Sequence, residues 1–133
     1  MKVMIDNDLP PRLAVALHTI FEADGDQVVA LRQKFGRSNL KDDEWIPALG
    51  EEGNWAVISA DGRIAKRRPS RELFIRNGLV GFFFNPALQK SPLHRQAARL
   101  LTLWPQIRDQ HRLAANGCFA VPVSGVKFHS IGR

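Results

Sequence analysis

Hydrophobic and polar positions along this chain follow two rhythms in turn. Residues 2–5 are a short β-branched and apolar run, and they predict a buried first strand. Pro10 and Pro11 follow, in the first-turn position where a helix tolerates proline. Leu13, Leu17, Ile20 and Phe21 then recur at helical spacing, which predicts an amphipathic helix over 10–23 that Asp24-Gly25-Asp26 ends. A second strand is expected over 27–31, then a polar and basic loop over 32–41 with Gly36 inside it. Residues 42–53 predict a second helix, with Asp42, Asp43 and Glu44 in the first turn, where the helix dipole favours negative charge. Residues 55–59 read as a third strand and 69–76 as a short helix opening at Pro69. Residues 79–84 are apolar enough for a fourth strand covered on both faces. Leu93, Ala97, Leu100, Leu101, Trp104 and Ile107 mark a long helix, which Pro105 is expected to kink or split. A last strand is expected over 119–123, folding back through Ser124-Gly125 to a short edge segment. Strands alternate with helices throughout, without repeat, low-complexity tract or linker. The expectation is one α/β domain over 1–133, a mostly parallel sheet with helices on both faces.

Composition adds bounds. A chain of 133 residues suits one domain. Its single cysteine, Cys118, allows no internal disulfide and favours a reducing, cytoplasmic setting. The opening residues are too poor in apolar side chains for a signal peptide. The longest apolar run, 79–84, falls far short of the ~18 residues of a membrane span. The net charge of +6 is unevenly spread: residues 1–61 hold 6 Lys/Arg and 11 Asp/Glu, whereas 62–133 hold 13 and 2. An acidic front suits a metal and a basic remainder suits a polyanion; simple solubility is the plainer alternative.

Three acids stand out by position. Asp6 closes the first strand, Asp43 opens the second helix and Asp61 lies just beyond the third strand. Ligands of open parallel sheets bind outside the carboxyl ends of strands, at the point where strand order reverses. With strands one and three as neighbours, Asp6 and Asp61 fall side by side there; Asp43 joins them if its helix packs with its first turn at that edge. Like charges so gathered repel one another, and a divalent cation removes the conflict. Hard oxygen ligands select Mg²⁺ or Mn²⁺. Arg63, Lys66, Arg67, Arg68 and Arg71 follow at once and offer a surface for phosphate. Each residue also has a plainer role: Asp6 and Asp61 as turn formers, Asp8 and Asp42 as helix caps, Glu44 as a charge on the helix dipole, the basic run as a solvated face.

The residues are also familiar as a set. Ile5-Asp6-Asn7-Asp8-Leu9-Pro10 followed by Arg12-Leu13-Ala14 resembles the opening of PIN-like domains of the kind found in toxin–antitoxin ribonucleases. Asp43-Glu44-Trp45-Ile46 resembles that family's central acidic motif, and Val57-Ile58-Ser59-Ala60-Asp61 resembles its third. The resemblance covers roughly residues 1–85. It implies a PIN-like fold and a metal-dependent endoribonuclease, with Asp6, Asp43 and Asp61 as catalytic metal ligands for Mg²⁺ or Mn²⁺. Asp8 would be an additional acid, Ser59 would orient a water or carboxylate, and Glu44 would stand behind the ligands. RNA is the implied substrate, gripped by the Arg63–Arg71 segment, and an antitoxin protein the implied partner; a homodimer stays open. Asp61 is followed by Gly62-Arg63-Ile64, where many relatives carry a further acid, and the C-terminal third matches no motif.

Other chemistries find less support. The four histidines, His18, His94, His111 and His129, lack zinc-ligand spacing. Trp45, Trp55 and Trp104 sit at apolar-periodic positions and predict core packing rather than base stacking. A phosphoryl-accepting receiver-like domain also gathers acids around Mg²⁺, but it needs a lysine closing a later strand, and Asn85-Pro86 follow Phe84. A non-catalytic nucleic-acid-binding module that uses only the basic face is the other alternative.

Overall fold

The computed structural model describes residues 1–132. Its strands are β1 (Lys2–Ile5), β2 (Gln27–Ala30), β3 (Trp55–Ser59), β4 (Val80–Phe84), β5 (Gly117–Val121) and β6 (His129–Ser130). They form one sheet in the order β2-β1-β3-β4-β5-β6, parallel except for β6, which pairs antiparallel to β5. The helices are α1 (Pro11–Phe21), α2 (Leu31–Phe35), α3 (Asp42–Glu52), α4 (Gly62–Lys66), α5 (Arg68–Arg76), α6 (Pro86–Gln89) and α7 (Leu93–Leu113). No helix of the described residues is long and apolar enough to cross a membrane.

The pleat divides the core in two. Val3, Ile5, Ala56, Ile58, Phe82 and Phe84 face one side, where Leu13 and Leu17 of α1 and Leu100, Leu103, Trp104 and Ile107 of α7 cover them. Met4, Trp55, Val57 and Phe83 face the other side, beneath Trp45, Ile46 and Leu49 of α3, Ile64 and Ala65 of α4, and Phe74 of α5. The central strands β3 and β4 are buried along their whole length, as strands covered on both faces must be. All three tryptophans are core residues, as their spacing predicts. Gly81 is the one interior position of β4 without a side chain. A Cβ there would lie 2.5 Å from the Phe83 ring and 2.8 Å from that of Phe74, so the two rings close over bare backbone.

Five local expectations need correction. The loop expected over 32–41 begins as α2: Leu31 ends no strand but is buried under the second face, and Gly36, at φ 73°, stops the helix in the left-handed region. The turn after Asp61 is helical, giving α4 ahead of α5, and Pro86 starts a further short helix, α6. Pro105 does not split the long helix, which runs unbroken from Leu93 to Leu113. Its buried stripe of Leu100, Leu103, Trp104 and Ile107 holds both halves to the sheet, while Pro105 sits on the exposed side. The last parallel strand ends at Val121 because Pro122 has no N–H for the ladder.

Remote elements are tied together at the opposite, amino-terminal edge. Buried Asp26, just before β2, accepts hydrogen bonds from the Met1 amino group (3.0 Å) and the Trp104 indole (2.9 Å), and it pairs with the Arg108 guanidinium. His18 is structural, its Nδ1 accepting the Val28 N–H at 3.1 Å.

Candidate active site

The strand order reverses between β1 and β3, the crevice where an open α/β sheet presents its carboxyl ends to a ligand. Asp6 and Ser59 sit at those two ends. The Asp6 N–H extends the ladder by donating to the Ile58 carbonyl at 3.0 Å, which fixes its backbone against β3. Its carboxylate accepts the Asn7 N–H at 2.7 Å and the Ser59 hydroxyl at 2.9 Å. Asp6 is 8% exposed and Ser59 is 0% exposed. The Ser59 Oγ also accepts the Asp61 N–H at 2.9 Å and lies 3.4 Å from an Asp8 oxygen. A hydroxyl carries one proton, so the shorter contact to Asp6 takes it. Asp8, exposed at its tip, accepts the Ala60 N–H at 3.3 Å. Ser59 is thus the joint to which Asp6 and the backbone of Asp61 are attached, with Asp8 held beside it by the Ala60 N–H.

The electrostatics follow from this crowding. Burial, then the neighbouring Asp8 charge, pushes the Asp6 carboxyl up to about 6, despite the hydrogen bonds from Asn7 and Ser59. Burial also raises Asp8, with Asp61 adding repulsion. Asp61 goes the other way, held below the usual carboxylate range by Arg63. Arg63 grips it with both arms of its guanidinium, at 2.9 and 3.1 Å, and its backbone N–H donates to the same carboxylate at 3.0 Å as Asp61 caps α4.

Of the two acids that open α3, Asp42 couples to this cluster. Its charge contributes to the rise of Asp6, and burial with Asp61 nearby raises its own carboxyl, opposed by the Trp45 indole, which donates to it at 3.1 Å. Asp42 is half-buried and Asp43 is exposed, and both line a shallow cleft with Lys41, Pro69, Ser70 and Leu73. Lys41, not Asp42, occupies the cap position of the helix. A sequence signal for Asp42 exists: it stands three, four and seven residues before Trp45, Ile46 and Leu49, in the middle of the buried stripe. Glu44 is exposed, pairs with Arg37 and accepts the Lys41 N–H at 3.1 Å, so it serves the start of α3.

The basic segment divides by partner. Arg63 is engaged with Asp61, and Arg68 pairs with Glu72 at 2.9 Å. Arg71, half-buried, donates to the Ala65 and Lys66 carbonyls at 3.0 and 3.3 Å, where α4 ends. Lys66 and Arg67 are exposed and make no side-chain hydrogen bond or ion pair among the described residues.

Whether these residues suit a divalent cation turns on number and charge. Among the described residues, no three His, Cys, Asp or Glu side chains converge as a ready-made cage. Mg²⁺ does not ask for one: it keeps several waters and takes one or two carboxylates plus phosphate oxygens. Asp6 and Asp8, side by side at Ser59 and both raised, Asp6 by burial and the Asp8 charge and Asp8 by burial and the Asp61 charge, are a hard-oxygen pair that fits that requirement.

In comparison with known proteins, residues 1–86 fit the family described as PIN like domain, a span that runs through β1 to β4 and contains every acid of the cluster. Neither a curated protein nor a solved structure matches the chain.

Proposed function

Because the chain belongs to the PIN-like domain family, a nuclease-type group, we propose that it is a metal-dependent ribonuclease working at the β1–β3 crevice. The observation that carries this is the Asp6–Ser59 pair with Asp8 beside it, a buried carboxylate raised to about 6 at the switch point of a parallel sheet. Asp6 and Asp8 would hold Mg²⁺ or Mn²⁺, with Asp61 and Asp42 completing the negative wall. A cation bound there supplies charge to a phosphodiester oxygen and lowers the pKa of a water. The protein's own groups do the rest. Ser59 keeps the Asp6 carboxylate in one orientation. Burial of Asp6 excludes solvent from one side of the site. Lys66 and Arg67, unpaired, take the RNA backbone, while Arg63 neutralises Asp61. The ordering of ligands departs from the expectation that named Asp43: Asp42 takes its place in this proposal. The family resemblance also supports an antitoxin protein as partner, one that covers the acidic crevice.

A chelator-sensitive cleavage assay on unstructured RNA tests the proposal. Asp6→Asn and Asp61→Asn are expected to lower the rate by orders of magnitude, as loss of metal-based transition-state stabilisation does, with RNA binding retained. Asp42→Asn should cost far more activity than Asp43→Asn. Lys66→Ala with Arg67→Ala should weaken binding and flatten its salt dependence by roughly one unit of slope per lost phosphate contact. A wild-type protein that cuts no RNA in either metal sinks the nuclease and leaves a binding module that uses its basic face. Growth arrest on expression, relieved by Asp6→Asn or by a co-expressed neighbouring gene, tests the toxin role.

A further inference from the structure

Beside the acidic crevice, over the carboxyl ends of β4 and β5, lies a cavity of about 580 Å³. That size falls within the range of about 300–1,000 Å³ typical of small-molecule sites. Asp8 and Asp61 form its near end, so it opens directly on the joint described above. Arg63 and Lys66 of α4 also line it, as do Asn85, the cap of α6, and Gln89, the last residue of that helix.

The amide end is the unexplained part. The Asn85 Oδ1 accepts the Leu88 N–H at 2.8 Å and so caps α6, which fixes its orientation. That leaves the two Nδ2 hydrogens without a protein acceptor among the described residues. Gln89 is exposed, and its side chain makes no hydrogen bond among the described residues. Phe83 and Phe84 border the cavity, but both are buried in the core and offer no face for stacking. A ligand held here is therefore recognised by hydrogen bonds to an edge, not by an aromatic platform. Side-chain amides pair in this manner with the edges of nucleobases, and Lys66, which makes no ion pair among the described residues, suits a phosphate. A base edge is free for such reading only in an unpaired nucleotide.

We infer that this cavity is a subsite for one unpaired RNA nucleotide next to the phosphate being cut, with Asn85 and Gln89 reading its base and Lys66 its phosphate. The inference rests on the nuclease proposal for the cut phosphate beside it, and on the cavity itself for the nucleotide. It makes the enzyme selective for the base at one position and confines it to single-stranded regions.

Binding of the four nucleoside 5′-monophosphates and of inorganic phosphate to the whole metal-free protein, measured by calorimetry, is the direct test. One or two bases are expected to bind roughly tenfold or more tightly than the others, the discrimination that one good amide–base pair supplies. Asn85→Asp keeps the oxygen that caps α6 and removes both free donors; combined with Gln89→Ala it should bring the four nucleotides within about threefold of one another, much less than such a pair provides. Gln89→Ala alone, at an exposed position, should already narrow the preference and leave phosphate binding unchanged. Lys66→Ala should weaken all four nucleotides in common. Four equal affinities in the wild type, or a preference that survives the double substitution, overturn the subsite. The two proposals fail separately. A base preference that depends on Asn85 and Gln89, in a protein that cuts no RNA, removes the nuclease and keeps the nucleotide site. Acid-dependent cleavage whose product ends show no base bias removes the subsite and keeps the nuclease.

Discussion

Asp6 carries the sharpest consequence at the scale of single residues. Its carboxyl sits at about 6 in the folded protein against 3.8 in an open chain, so between those pH values the folded state holds more protons than the unfolded one. Stability then falls as pH rises through that window, and the penalty is complete above pH 6. The difference corresponds to about 3 kcal/mol for a buried group, at roughly 1.4 kcal/mol per unit. Asp6→Asn removes the charge and keeps the shape. In metal-free protein it should raise stability near pH 7.5 by about 2–3 kcal/mol, from the same conversion, and flatten the decline between pH 4 and 6. Urea titrations of both proteins across that range check it; an Asn variant no more stable than the wild type at pH 7.5 would show that Asp6 is not under this strain. An activating substitution for folding that abolishes catalysis is the signature of a functional charge. The positions of Asp6, Ser59 and Asp61 are legible in the sequence, because each stands at or just past the end of a strand, and a strand end is a local event. Half-buried Asp42 and exposed Asp43 differ by one residue, which turns a helix by roughly 100°, so only the phase of Trp45, Ile46 and Leu49 tells them apart. The same holds for the bases: charge is visible in the sequence, but Arg71 spends its guanidinium on the carbonyls that end α4, a contact that only the turn between α4 and α5 creates.

Elements show where local rules yield to packing. Pro105 is a helix breaker by propensity, yet α7 passes through it because four large apolar residues on the opposite side are already committed to the sheet. The cost is still present. Pro105→Ala restores the missing N–H on the exposed side and should stabilise the protein by roughly 1–3 kcal/mol, given the penalty of proline inside a helix. A thermal melt that leaves Tm unchanged would mean that the helix has relaxed around the ring at no cost. Gly81 is the reverse case, a weak strand former that packing demands. Gly81→Ala drives a methyl into Phe74 and Phe83, and overpacking of that kind destabilises by roughly 1–3 kcal/mol. Urea midpoints measure it; a midpoint equal to that of the wild type would mean the two rings move aside freely. Strands β1, β3 and β4 are legible because an uninterrupted apolar run has one comfortable place, the middle of a sheet. Helices α2, α4 and α6 are short, and they were missed because a single turn leaves too few residues to display a period.

For the whole molecule, fold class followed from the alternation of strands and helices, whereas the order of strands did not. That order decides the site, since it seats β1 beside β3. It also decides what the C-terminal part is for. The span shared with the family ends at residue 86, yet α7 supplies Leu100, Leu103, Trp104 and Ile107 to the face formed by Val3, Ile5, Ala56, Ile58 and Phe82. A fragment of residues 1–86 holds every acid of the crevice and lacks the cover for half its core. It is expected to bind a hydrophobic dye and to unfold without a cooperative transition, as loosely packed states do; a sharp urea transition in that fragment would show α7 to be dispensable. The covering role of α7 also has a meaning in time. Synthesis releases the chain from its amino end at about 5–20 residues per second. Asp6, Asp8, Asp42, Ser59 and Asp61 have therefore all left the ribosome while the helix that clamps β1 against the sheet is still unmade. A nascent chain thus has the acids of the crevice written before the helix that covers their sheet has arrived.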